Sequence, residues 1–505
     1  MRHDRQTRKG TEPQSAVVAV EESDELVVPK KPGNARVTPA EPVEGRSEAE
    51  GKLAQRNALR TQDRVGALTH LERVGQRAKA KKEEKFTNLL SHIKVGLLKE
   101  AYQRLQKAAA AGVDGQTWSS YGENLDAKLL DLQDRVQRGS YHPQPVKRVH
   151  IPKGGGGTRP LGIPALEDKV VQQAVRMLLE PIYESAFKGF SYGFRPGRSP
   201  HAALDALFVA LHRCVSWVLD ADIRAFFDTI DHGWMRKFLE HRIGDRRLVR
   251  LLMKWMHAGV MEDGKLHEVQ EGTPQGGIIS PLLANIYLHY VLDLWVDAWR
   301  SKQARGDVYI VRYADDFVMG FQHMEDAHAM RRALDERFAK FGLQLHPDKT
   351  RVIQFGRFAR QDRASWGARP ATFDFLGLTH ICAETHGRFR LARRTSRKKR
   401  TAKLAALREE MRRRRHDPPA EQHQWLVRVL RGHEQYYGVP GNYLALRQFR
   451  WQVLQAWHRQ LQRRSQRARW TIPQRARFNA RYPLPMPAIR HGHPDARFRA
   501  RHSLR

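Results

Sequence analysis

The stretch Val308–Phe321, VYIVRYADDFVMGF, decides the fold. Two apolar runs rich in β-branched and aromatic residues flank Tyr313-Ala314-Asp315-Asp316, the pattern of a hairpin with acids at its tip. Adjacent carboxylates repel each other and a cation relieves that cost, so the tip predicts a divalent-metal site. A second run, Trp217–Asp228 (WVLDADIRAFFD), sets Asp220 and Asp222 at the end of an apolar segment, with Asp222 lying 93 residues before Asp315. Strand alternation puts Asp220 and Asp222 on one face, so periodicity does not choose between them. Carboxylates on separate strands suit phosphoryl transfer between nucleotides, in which two Mg²⁺ ions about 4 Å apart activate the attacking hydroxyl and stabilise the leaving oxygen.

Outward from these runs, the 505 residues carry 89 Lys/Arg against 54 Asp/Glu, a formal charge of +35. Such an excess predicts a polyanionic partner. Hydrophobic residues make up 41 %, enough for a sizeable core. The chain has no run of about 18 apolar residues and no apolar segment behind its N-terminal charges, which argues against a membrane partner and against secretion. Two cysteines, Cys214 and Cys382, make neither a disulfide framework nor a four-cysteine zinc site, so a reducing compartment, the cytoplasm, is the expectation.

The charge divides the chain. Residues 1–50 hold 8 Lys/Arg and 10 Asp/Glu without a sustained period and read as a disordered leader. Residues 51–85 are Ala/Arg/Lys/Glu-rich and predict a basic helical extension. Between 86 and 383, β-like runs (Trp217–Asp222, Val308–Arg312, Phe317–Phe321) alternate with helical patterns such as Arg331–Phe341, which makes the class α+β or α/β. From Ser280 the sequence predicts one mostly buried helix. Residues 381–505 hold 31 Lys/Arg against 7 Asp/Glu, so most of the excess charge lies there. A basic helical region is expected from Ala392 onward, through Arg393, Arg394, Arg397, Lys398, Lys399 and Arg400 to Arg412, Arg413, Arg414 and Arg415, fit to contact phosphates and unpaired bases. The aromatics Trp425, Tyr443, Trp451, Trp457 and Trp470 are expected mostly in the core of a three-helix bundle.

Further motifs follow in order. Ile151-Pro152-Lys153 and Thr158–Pro164 (TRPLGIP) flank four glycines, Gly154–Gly157. Ser191–Ser199 reads SYGFRPGRS, Gly272–Asn285 reads GTPQGGIISPLLAN, Leu343–Thr350 reads LQLHPDKT, Phe373–Leu378 reads FDFLGL and Leu430–Gly438 reads LRGHEQYYG. With the acidic hairpin, these resemble the group II intron-encoded reverse transcriptases, or maturases, over roughly Glu84 to His493. Ala110–Gly115 (AAGVDG) departs from the family's APGVDG by one proline.

The resemblance implies an α+β right-hand polymerase, with fingers and an antiparallel palm sheet over residues 86–383 and an all-α thumb/maturase region over 384–505. It selects Asp222 over Asp220, and implies a metal site of Asp222, Ile223, Asp315 and Asp316 holding two Mg²⁺, with Asp222 and Asp315 binding both ions, Asp316 closer to a supporting ligand and Mn²⁺ as an alternative ion. Asp222, Asp315, Asp316 and Lys349 are the implied catalytic residues, Lys349 as a general acid near the leaving pyrophosphate. Phe227 matches the aromatic gate that crowds a ribose 2′-OH. Lys153 and Arg159 of the glycine hairpin would meet the triphosphate, and Arg195, Gln275, Gly276 and Tyr313 complete the substrate set. Arg431, Tyr436 and Tyr437 of the LRGxxxYY signature join the RNA-binding set. The implied reaction is RNA-directed DNA synthesis on an RNA template from a DNA primer and dNTPs, with assistance to splicing of a structured intron RNA.

Ala488 onward leaves no room for the HNH nuclease of many members, which predicts a DNA primer supplied from elsewhere, such as a replication fork. An RNA-directed RNA polymerase is disfavoured by Phe227, since such enzymes usually carry a polar group there, and by a hairpin that is not Gly-Asp-Asp. The alternatives kept are the same enzyme adopted by its host for defence or repair, and a splicing factor that only binds RNA. Intact Asp222, Asp315 and Asp316 speak against the second.

Overall fold

The computed structural model describes residue 66 and residues 69–152, 157–262, 265–267, 272, 273, 275–359, 370–465 and 470–502. The expected leader lies outside them, and of the basic extension residues 69–80 form a helix. Eleven strands are described: β1 (Val146–Pro152), β2 (Thr158–Ile163), β3 (Trp217–Ala221), β4 (Val260–Glu262), β5 (Lys265–His267), β6 (Val308–Tyr313), β7 (Asp316–Phe321), β8 (Arg351–Gln354), β9 (Thr372–Phe375), β10 (Leu378–Thr385) and β11 (Arg388–Thr395). They form three sheets of order β2-β1-β4-β5, β6-β7-β3-β8 and β11-β10-β9.

The central sheet, β6-β7-β3-β8, is antiparallel throughout. Its strands are covered on both faces, which is why they read as continuous apolar runs. Val218, Val311, Val318 and Ile353 join a core with Leu204, Leu207 and Leu211 of the helix Pro200–His212. Leu219, Ile310 and Met319 point the other way, into a larger core with Met330, Leu334 and Phe338 of the helix Met324–Lys340. Each such side chain, fully buried, contributes about 1.5–3 kcal/mol. Ser199 caps the helix Pro200–His212 by accepting from the Ala202 amide at 3.2 Å, with Pro200 in the first turn where its missing N–H costs nothing.

The segment from Ser280 is not one regular helix. Helix Ser280–Leu288 passes through a π turn, His289–Asp293, into the helix Leu294–Lys302. The third sheet is a meander with two tight turns. Leu376-Gly377 and His386-Gly387 both carry positive φ at both positions (49° and 77°; 51° and 71°), as two-residue hairpin loops of type I′ require.

That meander corrects the expected start of the basic helical region. Residues 388–395 form β11, and the helix begins at Arg397. The expected break between residues 383 and 384 falls inside β10. Beyond it, the helices Arg397–Arg413, Pro419–Tyr437 and Tyr443–Gln462 pack around Leu407, Met411, Leu426, Val453 and Trp457. Trp457 is fully buried, whereas Trp451 and Tyr443 are exposed. Among the described residues no helix is long and apolar enough to cross a membrane, and Cys214 and Cys382 form no disulfide.

Candidate active site

Tyr313 pairs with Asp316 across the β6–β7 turn, leaving Ala314 and Asp315 as a two-residue loop. Ala314 has φ 58°, a left-handed conformation at a position where such loops ordinarily use glycine. β3 pairs with β7 up to Ala221 opposite Phe317. One further step of that register sets Asp222 beside Asp316, so the end of β3 and the hairpin tip bring Asp222, Asp315 and Asp316 together. Asp222 is held from its other side: its carbonyl accepts from the His346 amide at 2.8 Å, and its carboxylate pairs with Lys349. Ile223, buried, bridges to Leu345. Asp220 pairs instead with Arg351, 3.5 Å away.

The electrostatics of the cleft are those of crowded carboxylates. Burial, then Asp315, Asp222 and Asp220, push Asp316 up to about 6. Burial and the Asp222 charge raise Asp315 as well, while Arg159 and Arg312 oppose that rise. Burial raises Asp220 to about 6 despite Arg351. Among the described residues no three His, Cys, Asp or Glu side chains already converge on one cation position. The donor set nevertheless consists of hard carboxylate oxygens that destabilise one another's charge, with one ammonium, Lys349, against Asp222, which suits a hard divalent cation.

A cavity of about 120 Å³ is lined by Phe227, Pro160, Gly162, Gly272, Thr273 and Gln275. Phe227 is half-buried and meets Phe226 edge-on. The Gln275 carbonyl accepts from the Gly162 amide at 2.6 Å, which ties β2 to this wall. A Cβ on Gly276, whose φ is 122°, would come within 2.5 Å of the Gly162 oxygen, so the contact requires glycine. Arg159 is exposed on β2, and Lys153 lies outside the described residues. Tyr313 is half-buried.

Several expected contacts are engaged within the protein. Arg195 is buried; it donates to both Glu184 carboxylate oxygens and to the Lys188 and Ser191 carbonyls at 2.6 and 2.7 Å, fixing its own loop rather than facing a template. Arg393 is buried on β11, stacked over Phe208 and 3.9 Å from Asp205, and so is not presented at the surface. Tyr436 donates to the Leu376 carbonyl at 2.9 Å, and Tyr437 packs on the Gly377 turn, so both brace the meander. Arg400 donates to Gln448. Arg412, Arg413 and Arg414 pair with Glu409 and Glu410 of their own helix. Arg394, Arg397, Lys398, Lys399 and Arg431 are exposed.

Sequence reasoning missed the residues behind the hairpin. Arg312, fully buried, donates to both oxygens of fully buried Asp293 (2.7 Å for Nε), to Asn285 Oδ1 at 3.0 Å and to the Ala314 carbonyl at 2.9 Å. Asn285 in turn donates to the Gly193 carbonyl at 2.8 Å. A Cβ on Gly193 would lie 2.3 Å from the Ala314 amide, so this loop meets the tip backbone to backbone. The available signal was a lone arginine inside the apolar run VYIVRY.

Residues 151–380 match the family model described as reverse transcriptase (RNA-dependent DNA polymerase). Protein YkfC of Escherichia coli (strain K12) is 38 % identical over 281 residues, covering 48 % of this chain and 72 % of its own. Group II intron-encoded protein LtrA of Lactococcus lactis subsp. cremoris is 38 % identical over 241 residues, covering 46 % of this chain and 40 % of its own. Nuclear intron maturase 2, mitochondrial, of Arabidopsis thaliana is 26 % identical over 217 residues, covering 35 % of this chain and 28 % of its own. The chain thus spans about two-fifths of LtrA's length or less of the longer relatives.

Proposed function

Because the chain belongs to the group II intron-encoded reverse transcriptases and maturases, we propose that it copies RNA into DNA by nucleotidyl transfer and assists the splicing of the intron RNA that it binds, in the cytoplasm. The observation that carries this reading is the β3–β7 register, which sets Asp222 beside Asp316 at a tip that also holds Asp315. Asp222, Asp315 and Asp316, with Ile223, would hold two Mg²⁺. Bound there, the ions supply charge neutralisation for the attacking hydroxyl and the leaving oxygen.

The remaining work belongs to the chain. Phe227 fills the cavity side against a ribose 2′-OH and so favours dNTPs. Arg159 offers a planar fork to the triphosphate, and Lys349 sets a proton donor at the cleft. The sheet β6-β7-β3-β8 serves as the palm, β1 and β2 as the fingers hairpin, and the three helices from Arg397 as the thumb. Exposed cations on the helix starting at Arg397 bind the intron RNA, whose compaction they favour electrostatically.

Primer extension on an RNA template, with splicing of a cognate intron in parallel, tests the reading. Wild-type protein should incorporate dNTPs over rNTPs. Asp315→Ala/Asp316→Ala should lose cDNA synthesis by several orders of magnitude while splicing stays within a few fold, and Phe227→Ala should admit rNTPs. A double variant that still polymerises, or a folded one that loses splicing as well, would refute the assignment.

A further inference from the structure

The acids at the hairpin tip are held from behind by a buried network that the proposed reaction does not by itself require. Arg312 lies three residues before Asp315, on the strand that leads into the tip, and is 0 % exposed, as is Asp293. A buried arginine–aspartate pair is weak evidence for stability, since apolar residues of similar volume often serve as well or better. What such residues could not reproduce is its set of contacts. The one guanidinium donates to Asp293, to Asn285 and to the carbonyl of Ala314, the residue whose left-handed backbone sets the direction of Asp315.

The opposite side of the tip is fixed through the same network. Asn285, which accepts from Arg312, also donates to the Gly193 carbonyl, and the Gly193 backbone lies against Ala314. The loop Phe190–Tyr192 is tied to the same strand position: the Tyr192 amide donates to the Arg312 carbonyl at 2.8 Å and the Arg312 amide to the Phe190 carbonyl at 2.9 Å. Asp293 closes the π turn His289–Asp293, a local departure from α geometry of a kind found frequently at functional sites. Arg312 thus links its own strand to two other segments, the loop Phe190–Gly193 and the continuous helix that carries Asn285 and Asp293, and Arg312 and Gly193 both meet Ala314, the residue before the first tip acid.

We infer that Arg312, with Asp293 and Asn285, is a positioning residue that fixes the Ala314 turn, so that Asp315 and Asp316 present their carboxylates to divalent cations in the geometry that DNA synthesis needs. The inference rests on the functional reading above and adds to it a determinant outside the cleft. Arg312 acts through Ala314, and it touches neither substrate nor ion.

The test uses the full chain and two variants. Arg312→Met/Asp293→Leu replaces the ion pair by apolar residues of similar volume, and Arg312→Lys keeps the charge opposite Asp293 without the planar fork. Each folded variant should lose about 10- to 100-fold in kcat, the scale on which roughly 1 Å misplacements act, with the KM for dNTP and the affinity for RNA within a few fold. Mn²⁺ titrated calorimetrically in the absence of nucleotide should bind several-fold more weakly, a readout that mere structural support would not move. A folded variant with wild-type kcat and Mn²⁺ affinity overturns the inference, as does a uniform loss of kcat, substrate affinity and RNA affinity. Wild-type protein that fails to incorporate dNTPs would refute the functional reading instead. Should the double variant not fold, Arg312→Lys carries the same comparison.

Discussion

His380 stacks on Phe373 with ring centroids 4.8 Å apart, fully buried on β10. Burial and the nearby Arg393 cation push its imidazole down to about 3. The unfolded chain takes up that proton near pH 6.5 and the folded one does not, so the unfolded state binds more protons throughout the interval between about 3 and 6.5. Stability contributed by neutral His380 is complete above that window and is lost as pH falls through it. At pH 5 the cost is about 2 kcal/mol by linkage. His380→Phe preserves the stack and cannot protonate, so its thermal melt should change less between pH 7 and pH 5 than that of the wild type. Equal acid sensitivity in both would show that another group controls the acid limb. The surroundings of a residue decide its role in the same way at Arg195 and Arg393, whose charge promised nucleic-acid contact. Glu184 and Asp205, which capture them, stand 11 and 188 positions earlier, and no local pattern announces such partners.

Elements were legible wherever their period was apolar. β3, β6 and β7 appear within a residue of their expected bounds, because a strand covered on both faces writes itself as a mostly apolar run. β11 was misread for the opposite reason. In RFRLARRT four arginines mask the alternation, although Leu391, Arg393 and Thr395 all point inward. The π turn at His289–Asp293 left no apolar signature at all. Placing the helix start at Arg397 sharpens what its charge can do. Arg397, Lys398 and Lys399 are exposed at its N-terminal end, whereas Arg412 and Arg413 already face Glu409 and Glu410. Arg397→Gln/Lys398→Gln/Lys399→Gln should therefore reduce the log–log salt slope of RNA binding by about 2–3, at roughly 0.7–0.9 per phosphate contact. Arg412→Gln/Arg413→Gln should lower it by less than about 1 on the same scale. Equal slopes for the two variants would mean that the exposed turn at Arg397 is not a preferred phosphate site.

Across the molecule, the helix Pro494–His502 returns to the helix Pro200–His212 and brings two cations to an acid buried at 1 % exposure. Arg497 and Arg501 lie 3.1 and 3.3 Å from the Asp205 carboxylate, and Arg393 lies 3.9 Å away. Asp205→Asn would leave Arg393 buried without its counter-charge, a change that costs about 3–5 kcal/mol when a buried pair is broken from one side. Arg501, partly exposed, should cost less than about 1 kcal/mol as Arg501→Gln. Denaturant midpoints of the two variants compare them directly, and similar values would show that Asp205 is not the keystone. The same return of the chain carries a consequence for synthesis. Arg501 follows Asp205 by 296 positions, and ribosomes add about 5–20 residues per second. A nascent protein thus spends on the order of 15–60 s with Asp205 waiting for its last cations. Throughout that interval the face of the helix Pro200–His212 that Arg497 and Arg501 cover stays open to chaperones.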